Sequence, residues 1–277
     1  MFSFTKSFQI LVVLLFSICL GNAAMKPAEI VENFDLRYYH PQLLSLKDLS
    51  FEIRVSNLKE SVLKSIPLSK LDDLYYSVFW IAPGKYLIEV HGLPRGYVEL
   101  KNELKALIRN RLDYVLPQKL APKVRSYSLK AGETKNNLST VIGTDETHQR
   151  GINEIEIKFN KKGMLRSFVT KSPMGSQKSE MKMSSKSWSN NKWVVDSIIV
   201  TSTQGVQFTE MKNTFKYKKV DGFGFPEKVT VETTQELQVN NKEKKKRKVV
   251  SEITFSNYQV NKGIARKRIL DQSAKKQ

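Results

Sequence analysis

Between Leu49 and Val55 the chain reads LSFEIRV. Leu49, Phe51, Ile53 and Val55 alternate with Ser50, Glu52 and Arg54, the period of a strand that buries one face. The period changes on either side. Upstream, Pro27 precedes Ile30, Phe34 and Tyr38 at spacings of four, which predicts a short amphipathic helix with proline in its first turn, ending near Pro41. Downstream, after a short helix or loop around Glu60 to Asp73, Tyr75 to Ile81 and Tyr86 to Val90 flank Pro83-Gly84-Lys85 as a hairpin of two aromatic-rich strands. Leu100, Leu104, Leu107, Ile108, Leu112 and Val115 then recur at helical spacing, with Lys101, Glu103, Lys105, Arg109 and Arg111 on the other side. This is the clearest helix in the chain.

From Val124 onward alternation dominates. Strands are predicted at Val124 to Leu129, Thr140 to Thr144, Glu154 to Phe159, Met164 to Thr170, Ser179 to Ser184, Trp193 to Thr201, Val206 to Lys218, Lys228 to Glu236 and Val250 to Val260. Turn residues separate them, as in Asn160-Lys161-Lys162-Gly163 and Gly222-Phe223-Gly224. Short links without intervening helices favour antiparallel neighbours. The expected fold is mainly β with a few helices: one strongly curved antiparallel sheet, an incomplete β-barrel, with helices covering or plugging its concave face. A single domain is expected over residues 25–261, followed by a basic tail at 262–277.

The ends add a compartment. Lys6, the apolar run Ile10 to Leu20 and the small residues Gly21-Asn22-Ala23-Ala24 read as an export signal over residues 1–24, cleaved near Ala24, and the expected location is the periplasm. A membrane anchor is the rival, but Asn22 and Lys26 interrupt the run before the roughly 20 apolar residues a spanning helix needs. Cys19, the only cysteine, lies within the signal, so the mature chain is expected to use neither disulfides nor thiolates. The chain carries 46 basic and 27 acidic residues. Part of the excess is concentrated at Lys242 to Lys248 (KEKKKRK), expected as a loop, and in the tail. Such runs are either solvated surface or contacts for an anionic surface, here Lys244, Lys245, Lys246, Arg247 and Lys248. Export disfavours nucleic acid as the partner.

The inventory of reactive groups is sparse. His40, His91 and His148 stand far apart without metal-ligand spacing, so neither metal nor cofactor is expected. There is no nucleophile elbow and no phosphate-cradling loop. Asp72-Asp73 and Asp145-Glu146 lie in turn-like contexts with nothing to separate an acid from a base, and an enzyme is not expected. Trp188 and Trp193 bracket SNNK and suit either a membrane interface or the covering of a sheet.

The order of elements and the late stretch YKKVDGFGFPEKVTV, with Tyr217, Asp221-Gly222, Phe225-Pro226 and Val229/Val231, resembles the periplasmic lipoprotein carriers of the LolA/LolB-like superfamily. The resemblance implies an incomplete barrel lidded by helices, whose apolar trough shields acyl chains without bond chemistry. Local alternation assigns the trough to Phe51, Ile53, Val55, Tyr76, Val78, Trp80, Tyr86, Ile88 and Val90, and the lid to Leu100, Leu104, Leu107 and Ile108. The alternative for these residues is a closed core. Two functions follow: a monomeric envelope protein that binds a lipid or acylated lipoprotein, with or without carrying it between membranes; or a non-enzymatic scaffold that binds anionic membrane or another polyanion through its basic surface.

Overall fold

The computed structural model describes residues 25–65, 71–240 and 243–274; the expected export signal, Lys242 and the last three residues of the expected tail lie outside the described residues. The helices are α1 (Pro27–Arg37), α2 (Leu58–Ser65), α3 (Val98–Arg109), α4 (Ala121–Val124) and α5 (Ile264–Ala274). The strands are β1 (Asp48–Val55), β2 (Tyr75–Ile81), β3 (Lys85–His91), β4 (Ser128–Ala131), β5 (Leu138–Thr144) and β6 (Glu154–Asn160). They continue with β7 (Leu165–Ser172), β8 (Gly175–Ser185), β9 (Trp193–Gln204), β10 (Gln207–Val220), β11 (Phe223–Asn240) and β12 (Glu243–Val260). Single 3₁₀ turns stand at Pro41–Leu43 and Leu112–Tyr114.

All twelve strands belong to one sheet in the order β3-β2-β1-β12-β11-β10-β9-β8-β7-β6-β5-β4, not closed into a barrel. Every strand pairs antiparallel with its chain neighbour, and β1 also pairs with β12. The one exception is β3 and β4, which form the two edges. Residues 92–127, which join those edges, carry α3, the second 3₁₀ turn and α4. The break in the ring and the helices that cover it are therefore one segment.

Two apolar clusters fill the helix-covered face. In the first, α3 and the residues after it (Leu104, Ile108, Leu112, Val115, Leu116) pack with β1, β2, β3, β11 and β12. In the second, Val31 and Phe34 of α1 and Val124 of α4 pack with Val141, Ile155, Ile157, Phe159, Trp193 and Val195. Asp35 joins the two helices by accepting hydrogen bonds from the backbone N–H groups of Leu120 (2.7 Å) and Ala121 (2.8 Å).

The structure corrects four expectations. The long helix stops at Arg109, and the expected continuation is only a 3₁₀ turn at Leu112–Tyr114, with Val115 beyond its end. The strand expected from Val124 is instead the end of α4, whose first turn holds Pro122, and β4 begins at Ser128. The basic run is not a loop: β12 runs from Glu243, because its alternate lysines meet the glutamates of β11, Lys246 with Glu236 (3.1 Å) and Lys248 with Glu232 (3.1 Å). The tail is not wholly solvated either. It forms α5, which buries Ala265 and Ile269 against β1 and β2 on the face opposite α3. Gly263 N–H donates to Asp48 at its start, and Arg268 forks onto Glu89 of β3 at 2.8 and 3.0 Å. That cover explains why Asp48 and Ser50 are buried as well as Leu49 and Phe51.

Candidate functional site

Residues directly opposite in antiparallel strands share a face. The register of β1, β2 and β3 therefore sets the sequence-predicted trough in rows: Leu49, Trp80 and Tyr86; Phe51, Val78 and Ile88; Ile53, Tyr76 and Val90. Val55 lies opposite Ile253, and Ile53 opposite Phe255, so the same surface continues onto β12 and from there to Val229 and Val231 of β11. All nine residues are brought together. Phe51, Ile53, Tyr76, Val78, Trp80 and Ile88 are buried, and Val55 and Val90 are half-buried.

Of the predicted lid residues, Leu104 and Ile108 are buried on this surface and Leu100 packs beside them, whereas Leu107 is 47 % exposed. Successive helical residues are turned by about 100°, so a stripe centred on Leu104 and Ile108 leaves Leu107 outside it. Tyr86 departs from its row neighbours too. It is 40 % exposed, because α3 ends before reaching it. Trp80, Pro83, Tyr86, Arg109, Leu112 and Leu116 instead line an open cavity of about 480 Å³ at the hairpin end of the covered face, a volume within the ~300–1,000 Å³ of ligand sites. A second groove, about 490 Å³, runs between α1, α4 and β4 along Val31, Leu36, Ala121, Val124 and Leu129.

One hydroxyl buried in this surface is unpaired among the described residues. Tyr76 is fully buried, its hydroxyl has no hydrogen-bond partner among the described residues, and burial pushes its pKa upward from that of an ordinary tyrosine.

The late hairpin is a wall held by aromatic residues. Asp221 and Gly222 both have positive φ, 47° and 88°, and join β10 to β11 by a two-residue turn. Gly224 has a different role from the turn expected of it. A Cβ there would lie 2.0 Å from the Trp188 ring, and its N–H donates to the Tyr39 hydroxyl at 2.9 Å. Tyr217 and Tyr258 donate to the Val195 and Pro226 carbonyls at 2.9 and 2.7 Å. Trp188 thus covers the sheet, and Trp193 is buried against Phe34, their ring centroids 6.2 Å apart.

Comparison with protein-family models, curated proteins and solved structures returned no match. Function must therefore be read from the site.

Strand alternation divides the basic run between two faces. Lys246 and Lys248 point to the face where β11 offers Glu236 and Glu232. Lys245 and Arg247, between them, are exposed on the helix-covered side, opposite Leu237 and Gln235, with no carboxylate partner among the described residues. Lys244 pairs in register with Gln238, but its side chain lies outside the described residues. Of the carboxylates singled out by sequence, Asp73 and Asp145 are engaged in structural contacts. Asp73 holds Arg54 at 2.6 Å, and Asp145 accepts from the Thr147 hydroxyl (2.6 Å) and Arg150 N–H (2.9 Å), bonds that hold its pKa below the usual carboxylate range. Among the described residues no three His, Cys, Asp or Glu converge to hold a metal ion.

Sequence reasoning missed Val229, Val231, Ile253 and Phe255 as parts of the site. Their alternation is plain in the chain, but only the pairing of β1 with β12 places them beside Phe51 and Ile53.

Proposed function

We propose that the protein is a non-enzymatic cell-envelope binder of acyl chains, taking up a lipid or the acyl group of a lipoprotein on the face lined by Phe51, Ile53, Val78 and Ile88 when α3 lifts. The observation that carries this reading is the coincidence of gap and cover. The apolar face is covered chiefly by α3 and the turn after it, in the segment that spans the open edges β3 and β4, so moving the cover breaks no strand pair. The LolA/LolB-like resemblance, removal of residues 1–24 and a periplasmic location belong to the same proposal.

The test is mass spectrometry of organic extracts of the protein purified from envelopes without detergent, beside Leu104→Ala. Truncating a buried leucine costs about 2–5 kcal/mol. Here that loss falls on the contact between cover and sheet, and we expect more co-purified acyl lipid and faster uptake from vesicles despite a lower melting temperature. A permanently closed core gives the lower melting temperature with no lipid in either protein.

The exposed cations Lys245 and Arg247 favour a second reading, attraction to an anionic membrane surface, which is compatible with the first and separable from it by salt.

A further inference from the structure

The row that holds Tyr76 is otherwise apolar, and the buried Asn213 of β10, which lies opposite Val231 on the same face, is paired with the Tyr114 hydroxyl at 3.2 Å. The cross-strand partners of Tyr76 are Ile53 and Val90, it belongs to the same apolar cluster as Leu104 and Ile108, and its hydroxyl has no hydrogen-bond partner among the described residues. Buried polar groups in folded proteins are nearly always paired, because an unpaired one forfeits its hydration without return. Phenylalanine would fill the same volume without that cost. The other tyrosines of the wall meet the rule: Tyr217 and Tyr258 reach backbone carbonyls, and Tyr39 accepts the Gly224 N–H.

Resting on the acyl-binding reading above, we propose that Tyr76 is a specificity residue whose hydroxyl donates to the carbonyl oxygen of a fatty acyl ester once α3 gives way to the ligand. A hydrocarbon tail satisfies Ile53, Val78 and Ile88, but it offers nothing to an O–H. An acyl chain differs from a plain alkyl chain by one carbonyl next to its attachment, which supplies the acceptor that the Tyr76 hydroxyl lacks. The burial that raises the tyrosine's pKa also keeps it protonated as a donor. The same carbonyl is present in a glycerolipid and in the diacylglyceryl group of an acylated polypeptide.

The experiment compares two lipids that differ only in that group. The purified protein and Tyr76→Phe are each incubated with phosphatidylglycerol vesicles containing either dipalmitoyl (diester) or dihexadecyl (diether) chains, separated from the vesicles, and the bound lipid is quantified by mass spectrometry. The protein is expected to retain the diester roughly tenfold over the diether, the size of one buried hydrogen bond. Tyr76→Phe should hold both at the diether level and melt no lower than the parent. A parallel arm with a synthetic diacylated lipopeptide identifies which source of the carbonyl is preferred, and either preference supports the donor role.

Equal uptake of diester and diether by the parent protein, or discrimination that survives in Tyr76→Phe, overturns the role of Tyr76 while leaving the acyl-binding reading standing. Retention of neither lipid, by the parent or by Leu104→Ala, removes the acyl-binding reading itself and Tyr76's role with it.

Discussion

His40 sits 2 % exposed where the chain passes from α1 toward β1, and its Nδ1 lies 2.8 Å from the Pro117 carbonyl, just beyond the 3₁₀ turn that continues α3. Burial lowers its pKa, outweighing the opposite pull of the Pro117 bond; Asp35 also raises it, and Lys119 and Lys192 lower it further. The folded state thus holds this imidazole neutral at a pH where the unfolded chain, near 6.5, already binds a proton. Stability contributed by neutral His40 is present above about pH 6.5 and is lost as pH falls below it, because the unfolded state then takes up more protons. The melting temperature should therefore drop between pH 7 and 5, and His40→Gln should flatten that part of the curve. An unchanged slope in the variant would assign the acid sensitivity to other groups.

β12 turns a run that reads as one basic block into two faces that differ in their partners. Lys246 and Lys248 are neutralised by Glu236 and Glu232, whereas Lys245 and Arg247 are not. A cation near an anionic membrane surface contributes about 1 kcal/mol, so reversing the pair Lys245 and Arg247 to Glu should weaken binding to anionic vesicles at least about thirty-fold at low salt. Reversing Lys246 and Lys248 should cost far less binding, although it places like charges beside Glu232 and Glu236. Vesicle sedimentation across a salt series measures both, and equal losses would mean that total charge, not one face, sets the attraction. The charge of this run was legible in the sequence. Its strand was not, because lysines have weak strand preference and the glutamates that hold them lie on β11 rather than in the run itself. α5 was illegible for a related reason. Only Ala265 and Ile269 anchor it, too few to set a helical period among so many charges.

For the molecule as a whole, the legible part is what a hairpin decides. Tyr76, Val78 and Trp80 meet Val90, Ile88 and Tyr86 across a short turn, so alternation alone names the trough. The pairing of Ile53 with Phe255 has no local signature, and with it went the extent of the site. The ring with one break predicts unequal stability across the fold. In native-state hydrogen exchange the backbone of residues 98–116 should open at lower free energy than β1, β11 and β12, since α3 and the following turn can leave while the strand ladders stay intact. Simultaneous opening of all these elements would mean that the cover is part of one cooperative core.

The pairing of β1 with β12 also sets an order in time. As the chain emerges N-terminal end first, β1, β2 and β3 are made early with their apolar residues in place, yet the partner for the free edge of β1 is the last strand to appear. Contacts that must wait for such distant residues form slowly and leave apolar surface exposed meanwhile. The three strands that carry most of the candidate binding surface are therefore the part of the nascent chain that most needs shielding from other molecules until synthesis is complete.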